Sequence, residues 1–198
     1  MNCDIILAGV GGQGILSIAA IIGEAALEDG LFMKQTEVHG MSQRGGDVQS
    51  HLRISDQPIA SDLIPLGTAD IIISLEPMEA LRYLPYLKKN GWVVSSSKPF
   101  VNIPNYPVIE KITEFYNSLP NKISIDVEQI AKDMGALRSS NVVLLGAASF
   151  HLPIDFLKLE NGIRRIFGKK GDEVVEANLK ALSAGAGKIR ISPFILKS

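Results

Sequence analysis

The segment from residue 3 to residue 30 restricts the fold of this chain more than any other part of the sequence. It opens with a short apolar stretch, Cys3 to Ala8, that is typical of a buried strand. A turn with glycines at positions 9, 11, 12 and 14 follows. The residues from Gln13 to Asp29 are then almost continuously apolar and favour a helix, which Gly30 ends. A strand that passes through glycines directly into a helix predicts an α/β sheet domain.

The rest of the chain continues this alternation. Strands are predicted at residues 31–36, 48–54, 71–75, 92–95 and 122–125, and helices at 77–88, 110–118, 127–134, 139–151, 155–167 and 172–184. This order indicates a Rossmann-like α/β fold, with a doubly wound, mostly parallel sheet flanked by helices. A length of 198 residues favours a single domain. The strand at 48–54 alternates in polarity, so we expect it near a sheet edge, with His51 and Arg53 on a solvated face.

Composition and charge exclude several classes of protein. A net charge of -1 offers no basic surface for nucleic acid. The longest nearly apolar run, residues 15–22, is far shorter than the roughly 20 residues of a membrane span, and the amino terminus lacks a signal-peptide pattern. Cys3 is the only cysteine, so we expect a buried thiol and no disulfide, iron–sulfur or zinc site in this chain. These features predict a cytoplasmic protein with no nucleic-acid or membrane partner.

The helix after the glycines is apolar around nearly its whole circumference. Its strongly polar interior positions, Ser17, Glu24 and Glu28, fall within about 40° of one another at ~100° per residue. One sheet covers only one side of such a helix, so a second surface must cover the other. The carboxy-terminal helices and a partner subunit both meet this need. We favour a partner, which predicts a homo- or hetero-oligomer.

The glycine turn is the first candidate site. Gly9-Val-Gly-Gly-Gln-Gly14 fits the Gly-x-Gly-x-x-Gly pattern, in which backbone amides and a helix amino terminus accept an anion. Glu37 lies 23 residues after Gly14, where a dinucleotide site places its ribose-binding acid. The pattern also fits a tight turn without a ligand, a site for another anion, or a contact with a partner. The candidate residues of the turn are Gly9, Gly11, Gly12, Gln13 and Gly14.

The segment from Glu37 to Gly46 is the second candidate. It buries little apolar area and carries many directional hydrogen-bonding groups, which is typical of a site-forming or interface loop. An NAD site does not need so many polar groups after its ribose-binding acid. Arg44 could instead form a bidentate pair with a carboxylate or phosphate. The three histidines of the chain have no metal-binding spacing, and His151 is interpreted as a cap or surface group. The candidate residues of the loop are Glu37, His39, Ser42, Gln43 and Arg44.

A helix start follows the strand at 71–75. Pro77 suits the first helical position, where its missing N–H costs nothing, and Glu79 favours the positive end of the helix dipole. Glu76 and Glu79 are therefore predicted to be capping acids.

Several of these segments together resemble a known family. The segments are residues 9–14, 37–46, 74–82, 141–146 and 175–178. They are similar to the gamma-type domain of 2-oxoacid (pyruvate or indolepyruvate) ferredoxin oxidoreductases, and within that family to the small (beta) subunit of the indolepyruvate enzymes. The resemblance begins at about residue 3. It predicts one domain of residues 1–187 and a carboxy-terminal tail of residues 188–198.

The resemblance implies a role in a thiamine-dependent enzyme. Such an enzyme decarboxylates an aryl-pyruvate, passes two electrons through iron–sulfur clusters to ferredoxin, and releases an acyl-coenzyme A. This sequence has no Cys-rich run for a cluster, and Lys170-Gly-Asp-Glu173 lacks the second glycine of a magnesium diphosphate motif. We therefore expect thiamine diphosphate, magnesium and the iron–sulfur clusters on a large partner subunit, with coenzyme A as a co-substrate of the complex.

The sequence thus predicts an accessory subunit with no catalytic residue or metal site of its own, and with no activity when isolated. One alternative is a free-standing dinucleotide-binding dehydrogenase domain, although the short chain leaves no obvious substrate domain. Another is a regulatory module that binds a small molecule. The aryl preference of the substrate comes only from the family resemblance.

Overall fold

The computed structural model of the protein describes residues 1–39, 46–101 and 103–190. The strands are β1 (Asn2–Val10), β2 (Phe32–His39), β3 (Asp47–Ser55), β4 (Ala69–Ser74), β5 (Leu87–Ser96) and β6 (Lys122–Ile125). The helices are α1 (Ile15–Glu28), α2 (Pro77–Arg82), α3 (Ile109–Ser118), α4 (Val127–Asp133), α5 (Ser140–Ala148), α6 (Phe156–Phe167) and α7 (Asp172–Arg190). None of the helices in these ranges is both long and apolar enough to cross a lipid bilayer.

The strands form one mixed sheet in the order β2-β3-β1-β4-β5-β6. The adjacent strands β1, β4, β5 and β6 are parallel to one another, whereas β3 runs antiparallel to both β1 and β2. Five strands therefore point one way and β3 alone opposes them. Apolar clusters and helices cover both faces. This arrangement confirms the predicted α/β, mostly parallel, single-domain fold.

β3 lies near a sheet edge, as predicted, but it is not the edge strand itself. β3 pairs with β1 on one side and with β2 on the other, so β2 is the edge. His51 is buried, and its Nδ1 accepts a hydrogen bond from the Ile64 N–H at 2.9 Å. Arg53 donates to both carboxylate oxygens of Asp4, at 2.8 and 3.0 Å. The predicted solvation of His51 and Arg53 is wrong, because the chain after β3 folds back over this face and accepts from Arg53 through two backbone carbonyls.

The carboxy-terminal helices supply the second surface that α1 requires. The sheet and α5 pack on α1, and α6 packs on its other side. Gly162 of α6 allows this approach, since an added Cβ would lie 2.7 Å from the backbone oxygen of Ile21. Glu28 of α1 also pairs with Lys158 at 3.0 Å and with Arg165 at 3.1 Å. The preference for a partner subunit as the cover of α1 is therefore wrong.

Glycines also bring α5 and α7 into close contact. A Cβ at Gly146 would lie 2.0 Å from the Leu182 backbone oxygen, and a Cβ at Gly185 would lie 1.9 Å from that of Val143. The first part of α7 consequently lies beside the start of α5 and the glycine turn. α7 continues to Arg190, beyond the predicted domain end at residue 187. The rest of the predicted tail lies outside the described ranges.

Candidate functional site

The candidate site lies where the chain connections diverge at the carboxyl edge of the sheet. β1 and β4 are adjacent and parallel there. The chain leaves β1 through the glycine turn and α1 toward β2 on one side, and it leaves β4 through α2 toward β5 on the other. In doubly wound sheets, ligands bind in the crevice at this type of switch point.

The glycine turn is shaped by two close contacts. A Cβ at Gly9 would lie 2.9 Å from Oε1 of Gln13, and a Cβ at Gly14 would lie 2.7 Å from Nδ2 of Asn141. Gly12 and Gly14 also have positive φ angles of 101° and 88°, a conformation that favours glycine. These glycines are therefore needed for packing and backbone geometry in addition to any ligand contact.

Gln13 ties the ends of β1 and β4 together. Its Oε1 accepts from the Val10 N–H at 2.8 Å, and its Nε2 donates to the Leu75 carbonyl at 3.3 Å. The Leu75 N–H in turn donates to the Ala8 carbonyl at 3.0 Å. Both polar atoms of the Gln13 carboxamide thus have protein partners, so this side chain acts as a clamp within the site.

Among the described residues, the 37–46 loop contacts the glycine turn through one backbone hydrogen bond. The Gly11 N–H donates to the Gly46 carbonyl at 2.9 Å, so the end of the 37–46 loop is anchored to the turn. His39 is the last residue of β2 and pairs with Val48. The predicted site residues Ser42, Gln43 and Arg44 lie outside the described residues.

Glu37 occupies an exposed position on the edge strand β2. It pairs with Ser50 of β3, and Ser50 pairs with Leu7 of β1. One complete strand therefore separates this acid from β1, and the acid is level with Leu7 instead of following the strand end. In a dinucleotide-binding fold, the ribose-binding acid follows the strand directly beside β1.

A cavity of about 700 Å³ opens beside the glycine turn. Its wall combines the turn with residues from the 3-10 turn at 137–139, α5, the end of α6 and the start of α7. The polar and charged residues in that wall include Ser17, Arg138, Ser139, Asn141, Lys170, Glu173 and Asn178. Sequence reasoning assigned none of them a role. The available signal was an asparagine inside each of two otherwise apolar helix faces, at positions 141 and 178.

A known protein family matches most of this chain. The family model described as pyruvate ferredoxin/flavodoxin oxidoreductase matches residues 4–187. The chain belongs to this family. It is 37% identical over 194 residues to the indolepyruvate oxidoreductase subunit IorB of Archaeoglobus fulgidus, with 93% of this chain and 94% of that protein covered. The predicted family resemblance is confirmed.

Solved structures of family members share the fold. The 2-oxoglutarate:ferredoxin oxidoreductase from Magnetococcus marinus matches with a TM-score of 0.76 and 25% identity, over 96% of this chain and 31% of that chain. The gamma subunit of the keto/oxoacid ferredoxin oxidoreductase from Geobacter sulfurreducens matches with a TM-score of 0.71 and 25% identity, over 96% and 99% of the two chains. This family member is thus homologous to small subunits of 2-oxoacid ferredoxin oxidoreductases, and its domain also occurs within a longer polypeptide.

A second polar cluster in this family member lies after β4. Glu76 is completely buried and caps α2 by accepting from the Glu79 N–H at 2.8 Å, as predicted. It also accepts from the Phe100 N–H at 3.3 Å and from the Tyr106 hydroxyl. Burial, together with the bond to Glu76, raises the pKa of Tyr106 well above its usual range. Glu76 therefore fastens the chain that follows β5 to the end of β4.

Glu79, the other predicted capping acid, has a different role. It is 2% exposed and accepts from Arg82 at 2.8 and 3.2 Å. Burial raises the pKa of Glu79, although the hydrogen bond and the charge of Arg82 oppose the shift. The two acids are therefore satisfied by the protein itself.

Other candidate chemistry in the described residues is structural. No group of His, Cys, Asp and Glu in that part of the chain could hold a metal ion. Cys3 is buried on β1 as predicted, and burial raises the pKa of its thiol to about 12. His151 is half-buried and stacks on Trp92 with 3.9 Å between ring centres, in place of the predicted cap or surface position.

Proposed function

We propose that this chain is the accessory subunit of a thiamine-diphosphate-dependent indolepyruvate or other aryl-pyruvate ferredoxin oxidoreductase in the cytoplasm. The complex would decarboxylate the 2-oxoacid oxidatively, form an acyl-coenzyme A and pass electrons to ferredoxin. The observation that carries this proposal is the 37% identity to an indolepyruvate oxidoreductase subunit over 94% of that subunit's length.

The proposal assigns the cofactors to a large partner subunit. A protein iron–sulfur cluster is typically held by four cysteine thiolates, and this chain has one cysteine. Thiamine diphosphate, magnesium and the clusters would therefore reside on the partner, with coenzyme A as a co-substrate. The coverage of only 31% of the Magnetococcus marinus chain supports the idea that this domain works beside a larger body of protein.

Within the complex, the glycine turn and the 37–46 loop would form the edge that faces the partner's active site. The hydrogen bond from Gly11 to Gly46 supports this assignment, because it couples the two motifs mechanically. Gly9, Gly12, Gln13 and Gly14 would hold the shape of the turn. Glu37, His39, Ser42, Gln43 and Arg44 would supply polar contacts to the partner or its ligand.

Co-expression with the large thiamine- and cluster-binding subunit that the proposal requires tests it. The two chains should purify together under anaerobic conditions and reduce a viologen dye when indolepyruvate and coenzyme A are added. The small chain alone should have no iron–sulfur absorption and no activity. Dye reduction by the small chain alone, or a large subunit that is fully active without it, would refute the accessory role.

The Gly-x-Gly-x-x-Gly pattern favours a second candidate, a dinucleotide-binding dehydrogenase domain. The exposed position of Glu37, one strand away from β1, argues against it. Calorimetric titration of the full chain with NADH separates the two candidates. Micromolar binding that Glu37→Ala abolishes would establish the dehydrogenase reading, whereas we expect no micromolar affinity.

A further inference from the structure

The two edge strands of the sheet differ in length and regularity. β6 has four residues, whereas β2 has eight, and all eight pair with β3 in one continuous register without a bulge. No strand of the described residues pairs with the outer side of β2. Proteins usually shorten, bend or cover such an edge, because its free N–H and C=O groups can pair with another strand. The long β2 edge is therefore a candidate surface for strand addition.

The side chains of β2 do not protect this edge. Phe32 and Val38, near the two ends of the strand, are each 48% exposed. The strand contains no proline. Lysine often protects an edge strand, but the ammonium group of Lys34 donates to the Ala60 carbonyl at 3.1 Å and is thus directed at the chain that covers this face. An incoming strand meets apolar side chains at both ends of β2.

Symmetry restricts how β2 can pair with β2 of a second copy. An antiparallel pair about a twofold axis keeps equivalent faces of the two sheets on the same side, so opposing residues must come from the same face. The axis must then pass through a residue. An axis at Lys34 or at Glu37 places two like charges opposite each other, which is unfavourable. An axis at Thr36 leaves Phe32 outside the paired strands.

An axis at Gln35 gives the most complementary register. It pairs residues 32–38 with residues 38–32 of the second copy, so Phe32 of each copy lies opposite Val38 of the other. Pairs of an aromatic and a β-branched residue stabilise antiparallel sheets. The two most exposed apolar residues of β2 therefore cover each other in this register.

The same register brings opposite charges together. Lys34 lies opposite Thr36 of the second copy, with about 5 Å between the Cα atoms, whereas Lys34 and Thr36 of one strand are about 7 Å apart. The Thr36 hydroxyl donates to the carboxylate of Asp62, which forms no ion pair within the described residues. Lys34 of one copy can therefore pair with Asp62 of the other, and the twofold axis creates this contact twice.

We propose that the chain forms a symmetric homodimer in which β2 pairs with β2 of a second copy about an axis at Gln35. The pairing joins the two six-stranded sheets into one continuous sheet. The paired segment ends at Val38, before most of the 37–46 loop, so that loop remains available to a large subunit. The dimer is a property of the chain itself and does not rest on the proposed oxidoreductase role.

Sedimentation and cross-linking of the full chain test the dimer. Analytical ultracentrifugation at low ionic strength should show a reversible dimer. Gln35→Cys should form a disulfide between two copies when diamide is added, because opposed Cα atoms of an antiparallel pair are at a suitable separation. The native Cys3 is buried, and Glu110→Cys, exposed on α3, is the control. A monomer at all concentrations, or cross-linking of Gln35→Cys no stronger than that of the control, would overturn the proposal.

A charge exchange tests the register. Lys34→Glu and Asp62→Lys should each weaken the dimer by about tenfold, since each variant places like charges opposite each other twice. An equimolar mixture of the two variants should recover the association, because both contacts then join opposite charges. Lys89→Glu and Glu110→Lys, two exposed positions outside β2, should leave the dimer unchanged. Circular dichroism checks that each variant is folded. A mixture that associates no better than either variant alone would show that the register is wrong, and the proposal would fail.

Discussion

Two polar clusters at the same edge of the sheet differ in how they are satisfied. The cluster after β4 is closed, because buried Glu76 accepts from three groups of the protein and Glu79 pairs with Arg82. The cluster beside the glycine turn is open, with an uncapped helix and two asparagine oxygens that lack donors among the described residues. Burial of a polar group without a partner is costly, so the closed cluster has a structural role, whereas the groups of the open cluster face a cavity that solvent can enter.

The largest expected effect comes from breaking the closed cluster. Glu76→Ala removes the acceptor of the Glu79 and Phe100 amides and of the Tyr106 hydroxyl, and it should lower the free energy of unfolding by roughly 3–5 kcal/mol. Urea denaturation followed by circular dichroism measures this loss. Glu128→Ala, which removes an exposed pair with Lys98, is the control and should leave the midpoint nearly unchanged. Equal stability of both variants would remove the distinction between the clusters.

The 37–46 loop, whose last residue is bonded to the glycine turn, should respond in activity and leave stability unchanged. Arg44→Ala should keep the fold, because the sequence of this loop contains little apolar area for a core. In the assembled enzyme it should cost on the order of 2–5 kcal/mol of transition-state or binding energy if the charge is paired at the interface. Steady-state kinetics of the complex measure this cost, with Arg164→Ala as the matched surface control. A fully active Arg44→Ala complex would show that the loop has only a structural role.

A smaller change dissects the closed cluster. Tyr106→Phe removes one of the three donors to Glu76 and leaves the two backbone amides in place. We expect a loss of about 1.5 kcal/mol in the free energy of unfolding, the size of one hydrogen bond to a charged group. Urea denaturation at neutral pH provides the measurement. A loss as large as that of Glu76→Ala would mean that the tyrosine ring, and not the carboxylate, holds this part of the chain.

The smallest effect is the pH dependence contributed by Glu79. Its pKa in the folded protein is raised by burial, so the folded state holds this proton more tightly than the unfolded state. The resulting stabilisation is present below the unfolded pKa and is lost as the pH rises through the raised folded pKa. The stability of the wild type relative to Glu79→Gln should therefore fall as the pH rises through that window. Urea melts of both proteins over the acidic range measure the difference, and an opposite slope would show that the Arg82 pair dominates.

Local patterns were sufficient for most of the elements and for one cap. Alternating strands and helices predicted the fold class, and Pro77 with its neighbouring acids predicted the start of α2 and the cap by Glu76. The pattern of β3 was misleading. Alternation of polar and apolar residues shows that the two faces of a strand differ in polarity. It does not show whether a later part of the chain covers the polar face, and here the chain after β3 covers His51 and Arg53.

The sequence by itself determined the α/β order, the glycine turn and the family to which the chain belongs, because these depend on neighbouring residues and their spacing. Only the tertiary structure decided what covers α1, where Glu37 lies relative to β1, and which residues surround the glycine turn. Asn141 bonds to that turn and Asn178 lines the cavity beside it, both from helices more than a hundred residues later in the chain, through close contacts that Gly146 and Gly185 permit. Such contacts depend on backbone approach between distant segments, which no local periodicity encodes.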